Sequence, residues 1–254
     1  RGKNNRKRGK NIPIKNIMDK SRTEIITGEE GIKKLENATV AVFGLGGVGG
    51  YSAEALARAG VGRLILADYD TVAPSNINRQ ILSLQSTMGE YKTDVAGERI
   101  KDINSRTEII KIKTRLLPEN IAETVPWNYS SYYAIDAIDE INSKAALICE
   151  LHRRGIIFVS SMGAGSRLSP AGVTVSDISK TDYCPLARTI RKKLKAAGIT
   201  SGVRCIYSRE NLNTLGTEAD ESGITKKVQG SISYMPGIFG LTAAGIIIND
   251  ILKS

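Results

Sequence analysis

Residues 39–59 read TVAVFGLGGVGGYSAEALARA, and residues 63–68 continue RLILAD. The first five residues form a short β-branched and apolar run, which is the signature of a strand buried on both faces. The glycines at Gly44, Gly46, Gly47 and Gly49 follow it at once, and a helical pattern opens behind them at 48–59. A strand, a glycine turn and a helix in that order aim backbone N–H groups and the positive end of the helix dipole at a phosphate. Asp68 closes the second strand, where a carboxylate takes ribose hydroxyls. The turn therefore predicts a nucleotide site, and taken alone it favours a nicotinamide or flavin dinucleotide.

The same alternation continues outward. Helical periodicity at 93–103 leads to EIIKIK (108–113), then to YYAIDA (132–137), a helix at 141–154 and IIFVSS (156–161). Strands alternating with helices predict an α/β fold of Rossmann-like type, with a mostly parallel sheet and helices on both faces. From Gly172 the texture changes: VTVSDI, a basic helix at 187–197 and VRCIYS (203–208) predict a mixed or antiparallel C-terminal extension. The polar stretch 208–231 reads as a loop. The expected organisation is a basic tail over 1–17 and a single domain over 18–254, with its core at 38–165 and its extension at 166–254.

The net charge of +10 suggests nucleic acid, but seven basic and no acidic residues lie in 1–17, leaving about +3 elsewhere. That tail reads as a tag or an upstream extension, and it lacks the apolar periodicity of a targeting helix. Cys149, Cys184 and Cys205 are scattered with no Cys-x-x-Cys pair, which argues against a zinc ribbon or a disulfide framework and for a reducing, cytoplasmic setting. The apolar run 234–252 is interrupted by Pro236, Gly237, Gly240 and Gly245, so a buried helix is expected there and not an integral membrane span.

The segment after the second strand changes the nucleotide reading. It carries Asp68 and Asp70, then N-I-N-R-Q with Asn76, Asn78, Arg79 and Gln80, then Lys92. Hydride transfer has no use for this set. A triphosphate does, because attack of a carboxylate on the α-phosphate needs positive charge around the departing pyrophosphate and a metal to share it. Arg79 and Lys92 meet the first need, and Asp139, at the carboxyl edge of the sheet in DAIDE, is the candidate ligand for Mg2+. Each residue also has a plainer role: Asp70 and Asn76 as turn caps, Arg79 in an ion pair, Lys92 in solvent.

These residues resemble the ubiquitin-activating-type family of adenylating enzymes, which includes activators of sulfur-carrier proteins. GLGGVG, Asp68, N-x-N-R-Q, Lys92 and D-A-I-D at 136–139 carry the likeness, which runs from about Ser21 onward. The resemblance implies ATP as cofactor, Asp68 on the ribose, Arg79 and Lys92 on phosphates and Asp139 on Mg2+. It also implies a homodimer in which Arg22, in SRTEIITGEEG, reaches the other subunit's ATP. Within the family, SRTEIITGEEGIKKL, SSMGAG (160–165) and KTDYCPLAR (180–188) are similar to the tRNA threonylcarbamoyladenosine dehydratases. That implies a tRNA substrate, ATP-dependent adenylation of its threonyl carboxylate, and ring closure by a nitrogen of the substrate itself. A sulfur-transfer partner protein and a peripheral membrane contact are further implications left open.

A tRNA needs a basic surface, and Arg188, Arg191, Lys192 and Lys195 recur at helical spacing on one face. Arg153, Arg154, Lys226 and Lys227 would extend it, and the alternative is a solvated helix face. Cys205 reads as a buried strand residue and His152 as a helix-end residue with no catalytic role. The competing readings are an activator of a ubiquitin-like or sulfur-carrier protein, an NAD-binding protein, and a non-catalytic scaffold.

Overall fold

A computed structural model describes residues 18–211, 216–219 and 225–254. The basic tail expected over 1–17 lies outside the described residues. Helix α1 (Ser21–Asn37) is kinked at Gly28, whose φ of 71° only glycine adopts cheaply. Strand β1 (Thr39–Phe43) then enters the sheet with every residue buried. Helix α2 (Gly49–Ala59) follows the glycine turn and ends on left-handed Gly60. The chain continues through β2 (Arg63–Ala67), α3 (Lys92–Ile103), β3 (Glu108–Ile112), α4 (Ile121–Thr124), β4 (Tyr132–Asp136), α5 (Ile141–Arg153) and β5 (Ile157–Ser161). It closes with β6 (Val173–Asp177), α6 (Pro185–Ala196), β7 (Arg204–Ser208), β8 (Gly216–Ala219), β9 (Thr225–Val228) and α7 (Met235–Lys253).

Seven strands make one sheet in the order β3-β2-β1-β4-β5-β7-β6. All neighbours are parallel except β6 and β7, which pair antiparallel at the edge. The Rossmann-like α/β class and the mixed extension read from the sequence are both present. The chain runs outward from β1 to β3 and returns on the other side at β4, so the order reverses between β1 and β4. Open α/β sheets bind ligands at the carboxyl ends of such strands. Here those ends are Phe43 and Asp136, which are register partners.

Two apolar layers cover the sheet. One packs α2, α3 and α7 on one face through Leu56, Ile100, Phe239 and Ile247; the other packs α5 and α6 on the opposite face through Leu147, Leu151, Ile190 and Leu194. Helix α7 is long and apolar enough to cross a membrane by length and composition, but half of that window is buried inside the protein. Its small residues let it press on α2: a Cβ on Gly240 would stand 2.3 Å from the Val48 carbonyl oxygen. Ser52 Oγ donates to the Gly240 carbonyl at 2.9 Å. It is a core helix, as expected.

One sequence reading needs correction. The stretch 208–231 is not wholly loop, since β8 and β9 pair antiparallel within it, with Thr217 opposite Lys227. Neither strand has the alternating apolar pattern that marks a half-buried strand, and without it periodicity gives no signal. The fold also holds a buried ion pair: Asp136 and Lys144 are both fully buried and paired at 2.8 Å, a contact that the sequence did not suggest.

Candidate active site

The glycine turn is shaped by backbone crowding. Gly44 has φ 85°, and a Cβ on Gly49 would lie 1.7 Å from the Gly44 carbonyl oxygen. Gly47 faces Pro236 of α7, where a Cβ would meet a proline carbon at 2.8 Å. We expect Gly49→Ala to lower the melting temperature, by about 1–3 kcal/mol of stability or more. It should also abolish the rise in melting temperature that ATP gives, which a thermal shift titration measures.

Asp68 braces this turn directly. Its Oδ2 accepts the Leu45 N–H at 2.6 Å and its Oδ1 accepts the Asp70 N–H at 2.8 Å. Burial pushes its carboxyl above the usual carboxylate range, while the Lys92 charge and these hydrogen bonds pull the other way. A carboxylate has about four acceptor sites, so two remain open. Lys92 opens α3 almost fully buried and pairs with the half-exposed Asp70 at 2.8 Å. Arg79 follows a 3-10 turn at Pro74–Asn76, where its Nη1 donates to the Ser75 carbonyl and to Asn78 Oδ1. Asn76 accepts the Ala73 N–H and so caps that turn, the plainer of its two sequence readings.

These groups share one cavity of about 710 Å³, lined by Gly44, Gly46, Gly47, Asp68, Asp70, Asn76, Arg79, Gln80, Lys92 and Asp139. That volume suits a nucleotide-sized ligand. Gly49 supports the turn from behind, and Asn78 reaches away to donate to the Ser231 carbonyl. Asp139 is exposed, and among the described residues it has no hydrogen bond or ion pair.

The buried pair beneath Asp139 fixes its backbone. Lys144 Nζ donates to the Ile138 carbonyl at 2.9 Å, and Asp136 Oδ1 accepts the Ile138 N–H at 3.1 Å. Ser160 Oγ donates to Asp136 Oδ2 at 2.6 Å. Asp136 from β4 and Lys144 from α5 thus hold both polar groups of the residue before Asp139, and Ser160 from β5 braces Asp136. Glu140 caps α5 by accepting the Asn142 and Ser143 N–H groups, fixing the other side.

Other expected residues lie elsewhere. Arg22 is exposed on α1 and does not line this cavity. Of the basic face on α6, Arg188, Lys192 and Lys195 are exposed, while Arg191 is half-buried and donates to the Ile178 and Thr181 carbonyls and to Thr181 Oγ1. It holds the turn at Ile178–Lys180 together. Arg153 and Arg154 both pair with Glu150, and Arg154 stacks over Trp127. Lys226 and Lys227 fall on β9, with only their backbone described. Cys205 is fully buried on β7 outside the cavity, its thiol pushed up to about 12 by burial. His152 is in the last turn of α5, as expected. Two cavity-lining cations went unread in the sequence: Arg115, over the Tyr69 ring at 5.3 Å, and the buried Arg167.

A doubly wound sheet, a glycine turn at its switch point, and an acid and cations around one cavity are the features of a nucleotide-binding protein. The chain belongs to the ThiF family, whose match spans residues 20–254. It is 40% identical over 241 residues to the tRNA threonylcarbamoyladenosine dehydratase of Bacillus subtilis, covering 92% of this chain and 94% of that one. The Escherichia coli enzyme of the same name is 39% identical over 197 residues, covering 75% and 73%. The crystal structure of E. coli tRNA N6-threonylcarbamoyladenosine dehydratase, TcdA, in complex with ATP superposes with a TM-score of 0.81 at 33% identity, covering 92% of this chain and 93% of that one.

Proposed function

We propose that this chain is an ATP-dependent tRNA threonylcarbamoyladenosine dehydratase, a cytoplasmic tRNA-modifying enzyme built as one adenylating domain over 18–254. The observation that carries the reading is the single cavity in which the glycine turn, Asp68, Arg79, Lys92 and Asp139 converge. The threonyl carboxylate attacks the α-phosphorus of ATP and pyrophosphate leaves. A nitrogen of the ureido group then attacks the acyl carbon, loses its proton and displaces AMP, so that the nucleoside closes with net loss of one water. Nucleophile and electrophile are on one molecule, which supplies the proximity that a protein nucleophile would otherwise provide.

The chain's own part is positioning and charge. The 44–49 turn holds phosphate oxygens on backbone N–H groups, Asp68 holds the ribose, and Arg79 and Lys92 stabilise the departing pyrophosphate. A free, exposed carboxylate at Asp139 fits Mg2+, which takes one or two protein carboxylates and fills its sphere with phosphate and water. Bound there, the ion would supply Lewis-acid neutralisation of phosphate charge. Homodimerisation is supported by Ile25 and Ile26, which are 77% and 85% exposed beside Arg22. In that arrangement the partner's Arg22 would complete the site. Arg188 lies on α6 between cavity-lining Leu186 and Thr189, so Lys192 and Lys195 would lead a tRNA backbone away from the cavity mouth.

The second reading, a carrier-protein activator, would call on a cysteine near the nucleotide, and Cys184 lines the cavity. A single assay separates the two. With ATP and tRNA carrying the linear modification, wild type and Cys184→Ala should both yield AMP and a nucleoside lighter by one water. No mass change with wild type would sink the dehydratase reading. Loss of turnover only in Cys184→Ala, with nucleotide binding retained, would favour a covalent route.

A further inference from the structure

Arg167 is 1% exposed, lines the cavity, and has no ion-pair partner among the described residues. Its Nη2 donates to the Tyr183 carbonyl at 3.2 Å, but its buried Nε and Nη1 have no partner. A buried guanidinium without a counter-charge costs several kcal/mol, and native proteins keep such a group where an anion arrives to meet it. The carboxylate of Glu210 is engaged instead with the Leu168 and Ser169 N–H groups at 2.9 and 2.7 Å.

The backbone around the guanidinium is strained in its favour. Ser166, the residue before it, has φ 56°, and Tyr183, whose carbonyl it grips, has φ 51°. Non-glycine residues in the left-handed region cost about 1–3 kcal/mol each and persist where the surroundings over-determine them. Here Ser166 is tied to the segment after β9, its N–H donating to the Gly230 carbonyl at 2.7 Å.

Position then selects the anion. Asp68 marks the ribose side at β2, and the phosphate turn follows β1. Arg167 is on the loop after β5, a strand two spacings, roughly 10 Å, from β1 on the side away from β2. A nucleotide running from β2 across β1 leaves the β5 end for the group that attacks it. We propose that Arg167 is the receptor for the substrate's carboxylate, binding it along one edge of the guanidinium, through an unpartnered Nε or Nη1 donor and the second N–H of Nη2, and setting it against the α-phosphate. The inference rests on the dehydratase reading and adds a substrate-recognition residue to it.

The test is a cycle between residue and ligand. An anticodon stem-loop bearing N6-threonylcarbamoyladenosine and its methyl ester are titrated into wild type and Arg167→Gln, each saturated with a non-hydrolysable ATP analogue. Wild type should prefer the acid by tenfold or more, and Arg167→Gln should bring that ratio close to one with the analogue's own Kd unchanged. A ratio kept by Arg167→Gln overturns this inference alone. So does a loss of analogue affinity with the ratio untouched, which would assign the guanidinium to nucleotide phosphates. Wild type that binds both stem-loops without discriminating also overturns this inference alone, and wild type that binds neither overturns the dehydratase reading as well. Should Arg167→Gln fail to fold, Arg167→Lys carries the test: a point charge cannot replace the bidentate fork, so the ratio should fall at least threefold, and an unchanged ratio overturns the inference.

Discussion

Asp139→Ala should lower AMP formation by about 100- to 1,000-fold while leaving the melting temperature where it was. The two halves of this expectation have separate causes. The carboxylate is exposed and has no hydrogen bond or ion pair among the described residues, so its removal takes nothing from the folded state beyond the ~0.5 kcal/mol typical of surface changes. Its loss is felt only when phosphate charge must be shared. Circular dichroism melts and single-turnover AMP release, measured on the same preparation, check both halves. A variant with full activity would remove Asp139 from the chemistry, and with it the magnesium assignment.

The second large effect is on stability. Lys144→Met leaves the Asp136 carboxylate buried without its cation, which should cost about 3–5 kcal/mol, readable as a shift of the urea midpoint. Adding Asp136→Asn should restore a large part of that, because replacing both members of a buried pair is far cheaper than orphaning one. Activity should not return in the double variant. The pair holds the Ile138 carbonyl and N–H, so without it Asp139 loses its fixed approach to the cavity. Coincident recovery of stability and of turnover would show that the pair is structural only.

The two residues also show where sequence reading works and where it stops. The place of Asp139 at the cavity could be read because it stands just past an apolar run, at an edge where open α/β sheets place ligands. The glycine turn could be read for the same reason, since strand, turn and helix are consecutive. Asp136 lies only three residues earlier, but its importance depends on a lysine from α5 and a serine from β5 meeting it inside the protein. No local pattern encodes that meeting. Arg191 makes the point again from the basic stripe: helical spacing places it correctly with Arg188, Lys192 and Lys195, but only the packing of α6 against the turn at Ile178–Lys180 shows that its guanidinium holds carbonyls together. Arg167 escaped notice because a lone arginine in a loop carries no periodicity. What distinguishes it is burial without a counter-charge, which only the folded chain displays.

Helix α7 also has a bearing on the timing of folding during synthesis. The phosphate turn is complete in sequence by Gly49, but it is braced by Pro236, and α2 is anchored to Gly240 by a hydrogen bond spanning 188 residues. A ribosome adding about 5–20 residues per second needs roughly 10–40 s to cover that distance. Throughout that interval the apolar side of α2 has no α7 to cover it, so the glycine turn of the nascent chain stands unsupported. A chaperone that shields this stretch until translation passes residue 240 would raise the yield of native enzyme more than one acting later.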